Sequence, residues 1–285
     1  MPEPDARLGV AIDDDKLFYA LSASSHPATI ERIGQIDFPF DLLDSITKRD
    51  PDTFPGLCQI LAKMIRDEQV AEARLLFPPA LECWSIVPRT VSDQEDEREA
   101  HLDILMQGID TDRIITQWHP VSNRDFRMLS VRRMEHLESF SRLLDRPVNG
   151  NLCSDFQLGG IWMKLTSYRG SFMTISSHKG VLGISSYLLG KLRAATYITY
   201  DEISDLPYLW LQHSAHLSWL LGMHEQILVY GDRSGSISDT LGSYWDEASE
   251  IVILDSLDKM RVTSDEQTYS FPLERAFPAI LLSVQ

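Results

Sequence analysis

The chain has 285 residues, 44% of them hydrophobic and 24% charged, with a formal net charge of −16. Glycine and proline are scattered rather than clustered, so the composition is globular and rich enough for one large domain or two of ordinary size. A surface this acidic repels phosphate backbones and anionic lipid, so no nucleic-acid partner and no direct membrane insertion are expected.

Cys58, Cys83 and Cys153 are odd in number, far apart and form no C-x-x-C pair. That spacing argues for a reducing compartment, with each cysteine a small buried apolar residue, and against a disulfide framework or a cysteine-rich zinc site. The first residues, MPEPDARLGV, lack a basic region and a long apolar run, so no secretory signal is expected. The stretches 208–223 and 276–284 are too short or too polar to span a bilayer. A cytoplasmic protein is expected, peripheral to a membrane complex if a partner places it there.

In chain order, residues 8–12, 17–22 and 29–38 alternate as strands, punctuated by Gly, Asp, Ser, His and Pro. Residues 40–47 are a short apolar-periodic stretch. From Phe54 a helical repeat places Leu57, Ile60, Leu61, Met64 and Ile65 on one face. Strands at 73–77 and 82–87 follow, each ending at proline. Ser92, with Glu95 three residues on, predicts a capping box opening a helix to about Gln107. Its acidic first turns are a solvated face or a docking surface for a basic partner.

Strands at 114–120 and 126–131 lead to an amphipathic helix over 132–144, ended by Pro147, Asn149 and Gly150. A helix is predicted over 154–165, then strands at 171–177, 181–189 and 192–200. Residues 201–223 read as helical. A buried strand at 226–230, a short helix at 238–244, a strand at 250–254 and a helix over 271–284 complete the chain.

Residues 7–38 and 171–200 share one plan of strand, polar turn, strand, strand. Each is followed by helix and then a buried strand ending in a loop. This order predicts a duplicated α/β domain with mixed sheets and helical cover.

That plan resembles the actin, hexokinase and Hsp70 superfamily. Within it the chain is most similar to actin-like pilus-assembly proteins of the PilM kind and to the cytoplasmic actin-like part of the type II secretion L protein. The resemblance is carried by LGVAIDDDKLFYALS, ARLLFPPALECWSIVPRTVSDQEDE, FRMLSVRRMEHLESFSRLLDRPV, ILVYGDRSGSISDTLGSYW and ERAFPAILLSVQ, in that order. It implies duplicated actin-like (ribonuclease H-like) domains with mixed five-stranded sheets. The first would span 1–148, including a small ferredoxin-like α+β insert at about 88–148, and the second 149–285.

The resemblance also implies where ATP and Mg²⁺ would sit. In that superfamily two hairpins face the phosphates, each carrying Asp-x-Gly. Here Ala11 stands where the first aspartate belongs and Asp13 where the glycine belongs. Ser176 is near the second aspartate position, Gly180 comes late, and Lys179 is the one cation of that turn. In the late loop Gly231 matches a glycine and Asp232 adds a side chain. The candidate nucleotide-contact residues, if such binding is retained, are Asp13, Asp14, Ser176, Lys179, Gly231, Ser234 and Gly235. Asp13 or Asp14 would hold Mg²⁺, and GDRSGS, between a strand and a helix, is the best local phosphate loop. It matches neither common glycine-rich phosphate motif.

No nucleophile elbow or cysteine-protease context is found, so no catalytic residue is assigned and a non-enzyme is favoured. His213 and His216 share a helix face with His224 nearby, but no H-E-x-x-H or fixed carboxylate accompanies them, so no metal is expected. Arg124, Arg127, Arg132, Arg133, Arg142 and Arg146 are a salt-bridged surface or a docking face for an acidic peptide. Two readings follow. One is a non-catalytic scaffold with no cofactor, binding a protein partner or the short tail of a membrane-complex component. The other is a divergent nucleotide switch or ATPase using ATP and Mg²⁺. A third, an unrelated two-domain α/β protein, would lack the two-fold plan.

Overall fold

Side chains in the first strand, β1 (Ala6–Asp13), point alternately to two faces. Leu8, Val10 and Ile12 go to one core, while Gly9 and Ala11 face the other side. A computed structural model of the chain describes residues 6–23, 29–106, 109–144, 151–258, 263–264 and 271–285. The expected boundary at 148/149 lies outside the described residues, as do Pro147, Asn149 and Gly150.

After β1 come β2 (Lys16–Ala23), β3 (Thr29–Asp37), α1 (Leu42–Lys48), α2 (Phe54–Asp67) and β4 (Val70–Phe77). A three-stranded segment follows: β5 (Glu82–Pro88), α3 (Arg89–Asp93), α4 (Glu95–Leu105), β6 (Ile114–Pro120) and β7 (Phe126–Arg133). Then come α5 (Met134–Leu144), β8 (Leu152–Ser154) and α6 (Leu158–Thr166). The second half holds β9 (Phe172–His178), β10 (Val181–Leu188), β11 (Lys191–Thr199), α7 (Leu206–Ser214), β12 (Gln226–Gly231), α8 (Ser234–Leu241) and β13 (Glu250–Ile253). The short β14 (Thr263–Ser264) and α9 (Leu273–Ser283) follow.

The first sheet runs β14-β3-β2-β1-β4-β8 and the second β11-β10-β9-β12-β13. Without β14 the two orders coincide, and so do the directions. Two antiparallel pairings are followed by two parallel ones in each. The duplicated plan read from the sequence is therefore present, with six strands rather than five in the first sheet.

Helices α1, α2 and α5 cover the outer face of the first sheet, and α7 and α8 that of the second. Between the sheets lie α6 and α9, with Phe18, Ile30 and Ile33 on one side and Phe172, Leu228 and Tyr230 on the other. This shared core joins the halves. A Cβ at Gly9 would lie 1.9 Å from the carbonyl oxygen of Ala279, so only glycine lets α9 seat against β1.

The small sheet runs β5-β7-β6. One face packs on α4 through Val87, Leu102, Leu129 and Val131. The other meets the second half through Trp84, Met128, Phe156 and Ala195. The sheet starts at Glu82, and α5 packs its Leu137, Phe140, Leu143 and Leu144 into the first half's core. At the junction Arg132 is buried, donating to Glu82 at 2.6 Å and to Ser154 at 2.7 Å, over the Phe77 ring. Trp84 donates to the second Glu82 oxygen at 2.6 Å.

Several local expectations need correction. Ser92 is not an N-cap: its hydroxyl donates to the Arg89 carbonyl, and the segment forms two helices divided at Gln94. Arg132 and Arg133 end β7 instead of opening α5. Residues 152–154 are strand, so α6 starts at Leu158. The helix expected over 201–223 breaks. Its α-helical part is 206–214, and Leu217 leaves the helical region before a 3-10 turn at Ser218–Leu221 brings Leu220 back to the same core. Cys153 is buried, with its thiol pushed up to about 12 by that burial, while Cys58 and Cys83 are only half-buried.

Gly9→Ala is expected to lower stability by about 3 kcal/mol, because helix backbone cannot yield to a methyl group. Gly56→Ala in α2 meets nothing within 4 Å and should gain about 0.5–1 kcal/mol. Denaturant unfolding of the two variants checks the contrast.

Candidate functional site

The β1–β2 and β9–β10 turns face each other across the cleft between the halves. In the first, Asp14 takes a left-handed φ of 59°, which aspartate tolerates better than most residues. In the second, Lys179 and Gly180 form a two-residue turn with φ of 40° and 74°. Lys179 reaches across, its ammonium bonded to Asp41 and 3.2 Å from Asp14. Asp41 is also the N-cap of α1, its other oxygen accepting from the Asp44 amide at 2.9 Å.

Asp13 is 6% exposed. Arg275, on the first turn of α9, grips it through two nitrogens at 2.7 and 3.0 Å. The same guanidinium lies 3.8 Å from Asp232 and 5.3 Å from the centre of the Phe18 ring. Both charge-assisted bonds go to one carboxylate oxygen, Oδ2, and fix Asp13 against the helix.

Below the turns lies a buried polar network. Asp155, between β8 and α6, is 1% exposed. It accepts from Ser176 at 2.7 Å and from Tyr230 at 3.2 Å. A Cβ at Gly183 would stand 2.8 Å from its carboxylate, so that glycine makes room for Asp155. His178 Nε2 lies 3.5 Å away, at ion-pair rather than hydrogen-bond geometry. Burial works to lower the His178 pKa, but the Asp155 carboxylate, with Asp13 beyond it, raises it above the ordinary value.

The expected nucleotide-contact residues divide accordingly. Asp13, Asp14 and Lys179 converge on the cleft, already paired with cations or carboxylates of the chain. Ser176 points inward to Asp155. Gly231, with φ 94°, serves backbone packing, since a Cβ there would lie 2.3 Å from the Ser177 carbonyl oxygen. Ser234 and Gly235 open α8. The Ser234 hydroxyl is buried with no partner among the described residues, and the space over Gly235 is open.

Sequence reading missed Arg275, Asp41, Asp155 and His178. Arg275 and Asp13 stand 262 positions apart, so no local pattern joins them. Of the insert arginines, Arg132 is buried and Arg127 and Arg133 pair with Asp93 and Glu135. Arg146 lies outside the described residues.

Among the described residues no group of three or more His, Cys, Asp or Glu side chains could hold a metal ion. His224 is buried, with Nε2 3.1 Å from Ser186 Oγ. Its pKa is lowered by burial, as is that of His213, which also feels His216. No described helix is long and apolar enough to cross a membrane.

A second concave feature lies between the insert and the halves. It is a groove of about 620 Å³ lined by Leu81, Ile104, Met106, Ile109, Val181 and Thr199, among others. Ile104 is 72% exposed, and His136 Nδ1 at its edge is buried without a partner among the described residues.

Replacing Arg275 by Met leaves the Asp13 carboxylate nearly buried and unpaired, and should cost on the order of 3 kcal/mol. Asp13→Asn combined with Arg275→Met should recover part of that loss in denaturant unfolding. His178 carries a raised pKa in the folded state, so its contribution is full below the unfolded value of about 6.5 and fades as pH rises through the folded one. The destabilisation by His178→Gln is therefore expected to be larger at about pH 6 than at about pH 9.

No protein-family model and no curated protein sequence matches the chain. Solved structures do. One partner structure is the PilM-PilN type IV pilus biogenesis complex, at 12% identity and a TM-score of 0.63, covering 99% of this chain and 97% of that one. Another is a Bacteroides thetaiotaomicron protein with an actin-like ATPase fold and unknown function, at 10% identity and a TM-score of 0.53, covering 90% and 94%. The cytoplasmic domain of EpsL, an inner membrane component of the type II secretion system of Vibrio cholerae, matches at 9% identity and a TM-score of 0.49, covering 98% and 95%. With its duplicated sheets, shared helices and insert, this chain has the actin-like ATPase fold, in the form that resembles PilM over nearly its whole length.

Proposed function

We propose that this chain is a non-catalytic, actin-like adaptor. It acts on the cytoplasmic side of a pilus- or secretion-type assembly and binds a protein partner. The observation that carries this reading is the state of the cleft. Where the resemblance places phosphates and Mg²⁺, Asp13 is bound by Arg275, and Lys179 by Asp14 and Asp41. A polyphosphate entering there would meet carboxylates and find Lys179 and Arg275 engaged, with Arg233 of the neighbouring loop 3.5 Å from Asp232. Like charge without a free cation is unfavourable even in water and more so near a protein surface. Asp155 is no free base or ligand either, with Ser176, Tyr230 and His178 around it.

The partner would be a short apolar segment of a membrane-associated protein, seated in the groove beside the insert. Two things support this. The groove is lined by apolar side chains from three parts of the chain and leaves Ile104 uncovered. The structure similar at a TM-score of 0.63 is of PilM in complex with PilN.

One observation favours a second reading, a divergent nucleotide switch. The Ser234 hydroxyl at the start of α8 is buried and has no hydrogen-bond partner among the described residues.

Thermal melting with and without Mg-ATP separates the two. A ligand at a hundredfold its Kd adds about 2.7 kcal/mol to the folded state. No shift at millimolar Mg-ATP is expected. A shift that is lost in Ser234→Ala would replace the adaptor reading with the switch. In a displayed random-peptide library, the wild type should enrich an apolar motif that Ile104→Glu does not, and failure of the wild type to enrich any motif removes the groove as the docking site.

A further inference from the structure

The ion pairs of the cleft and the wall of the groove belong to one hairpin. Lys179 and Gly180 form the turn, and the next residue, Val181, pairs with Thr199 across β10 and β11. Both Val181 and Thr199 line the groove. The Gly180 carbonyl accepts from the Tyr200 amide at 2.8 Å, tying the turn to β11. A displacement of Lys179 therefore carries this wall with it. The opposite wall, with Ile104, Met106 and Ile109, belongs to the insert.

We propose that Lys179 is a positioning residue for the docking groove. By clasping Asp14 and Asp41 it holds the β10–β11 wall at one distance from the first half and the insert, and so sets the groove's width. The proposal rests on the groove being the docking site. It adds that an ion pair on the far side of the hairpin regulates that site.

The two ties across the cleft differ in kind. Lys179, Asp14 and Asp41 have side chains 45%, 55% and 29% exposed. Salt screens such pairs, and each is weak. Arg275 and Asp13 are 17% and 6% exposed, so their pair is screened much less. The halves also share the apolar core built on α6 and α9. Loosening the Lys179 clasp therefore lets the hairpin side of the cleft move while the core and the Arg275 tie hold. Asp41 is a fixed anchor rather than a swinging carboxylate, because one oxygen caps α1 while the other faces Lys179.

The test reads the distance from the insert wall to α7, which packs on the sheet that carries the β10–β11 wall. Spin labels go on Ile104→Cys and Tyr208→Cys, positions 72% and 70% exposed on the insert and on α7. Cys58, Cys83 and Cys153 are replaced by alanine. Pulsed dipolar spectra are taken at about 0.05 M and about 0.5 M salt. The parent should give one narrow distribution at low salt that lengthens and broadens at high salt. Lys179→Met should show the long distribution at both. Asp14→Lys with Lys179→Asp, which returns a cation between two carboxylates, should restore the narrow one. Peptides enriched on the wild type should bind Lys179→Met about threefold to tenfold more weakly, with its unfolding transition still cooperative.

Parent-like distances in Lys179→Met at both salts overturn the clasp. Altered distances with unaltered peptide affinity overturn the positioning role while leaving the docking site intact. Absence of any enriched peptide on the wild type instead overturns the docking reading, and the proposal falls with it even if the distances respond.

Discussion

The seat of α9 on β1 is the constraint from which the rest follows. Residue 9 has no side chain, and the helix backbone occupies the space a Cβ would take. That close approach lets one helix serve two sheets, with first-sheet side chains on one flank and second-sheet side chains on the other. It also fixes the direction in which α9 enters the molecule. Arg275, one turn before the contact with Gly9, arrives beside Asp13 at the end of β1. The closeness of the halves and the occupancy of the cleft are thus two results of one packing contact.

In the cleft the fold brings two charged turns together, and their side chains decide what chemistry it can support. Two hairpins still face each other, and a loop and helix still close the far side. The residues at their tips are partners of one another. In a chain with 42 acidic and 26 basic residues, the cleft cations Lys179 and Arg275 are drawn into internal pairs with carboxylates. The Glu82–Arg132–Ser154 cluster follows the same logic where the insert joins both halves, with both Glu82 oxygens and Arg132 Nε and Nη2 held by hydrogen bonds in a buried junction. Such a cluster orients the insert at a desolvation cost that apolar packing would not incur. Fold alone therefore does not fix the function, and the side chains at these tips carry the functional argument.

Much of the architecture was legible because its signals are local. Alternation marked the hairpin strands, and their repetition in the same order marked the duplication. The elements that escaped are those with too few residues to show a period: the three of β8 and the two of β14. Ser92 carried the spacing of a capping box, yet the chain turned at Gln94 and the hydroxyl served the preceding helix. The helix expected over 201–223 has no Gly or Pro stop between Pro207 and Gly222. Its break at Leu217 comes from tertiary packing of Leu220 against the second sheet. In the cleft, the positions of Asp13, Asp14 and Lys179 were readable, and their partners were not. Arg275 and Asp41 lie far away in sequence, and a pairing across such distance leaves no pattern in either segment.

The place of α9 in chain order has a kinetic side. It follows every other described element, yet it covers the inner faces of both sheets. Until α9 docks, those faces, with Phe18, Ile33, Phe172 and Tyr230, have only α6 between them. Apolar strands waiting in this way invite wrong partners, and contacts spanning most of the chain form slowly. The docking of α9 between the two sheets is therefore also the step at which assembly of these two halves commits.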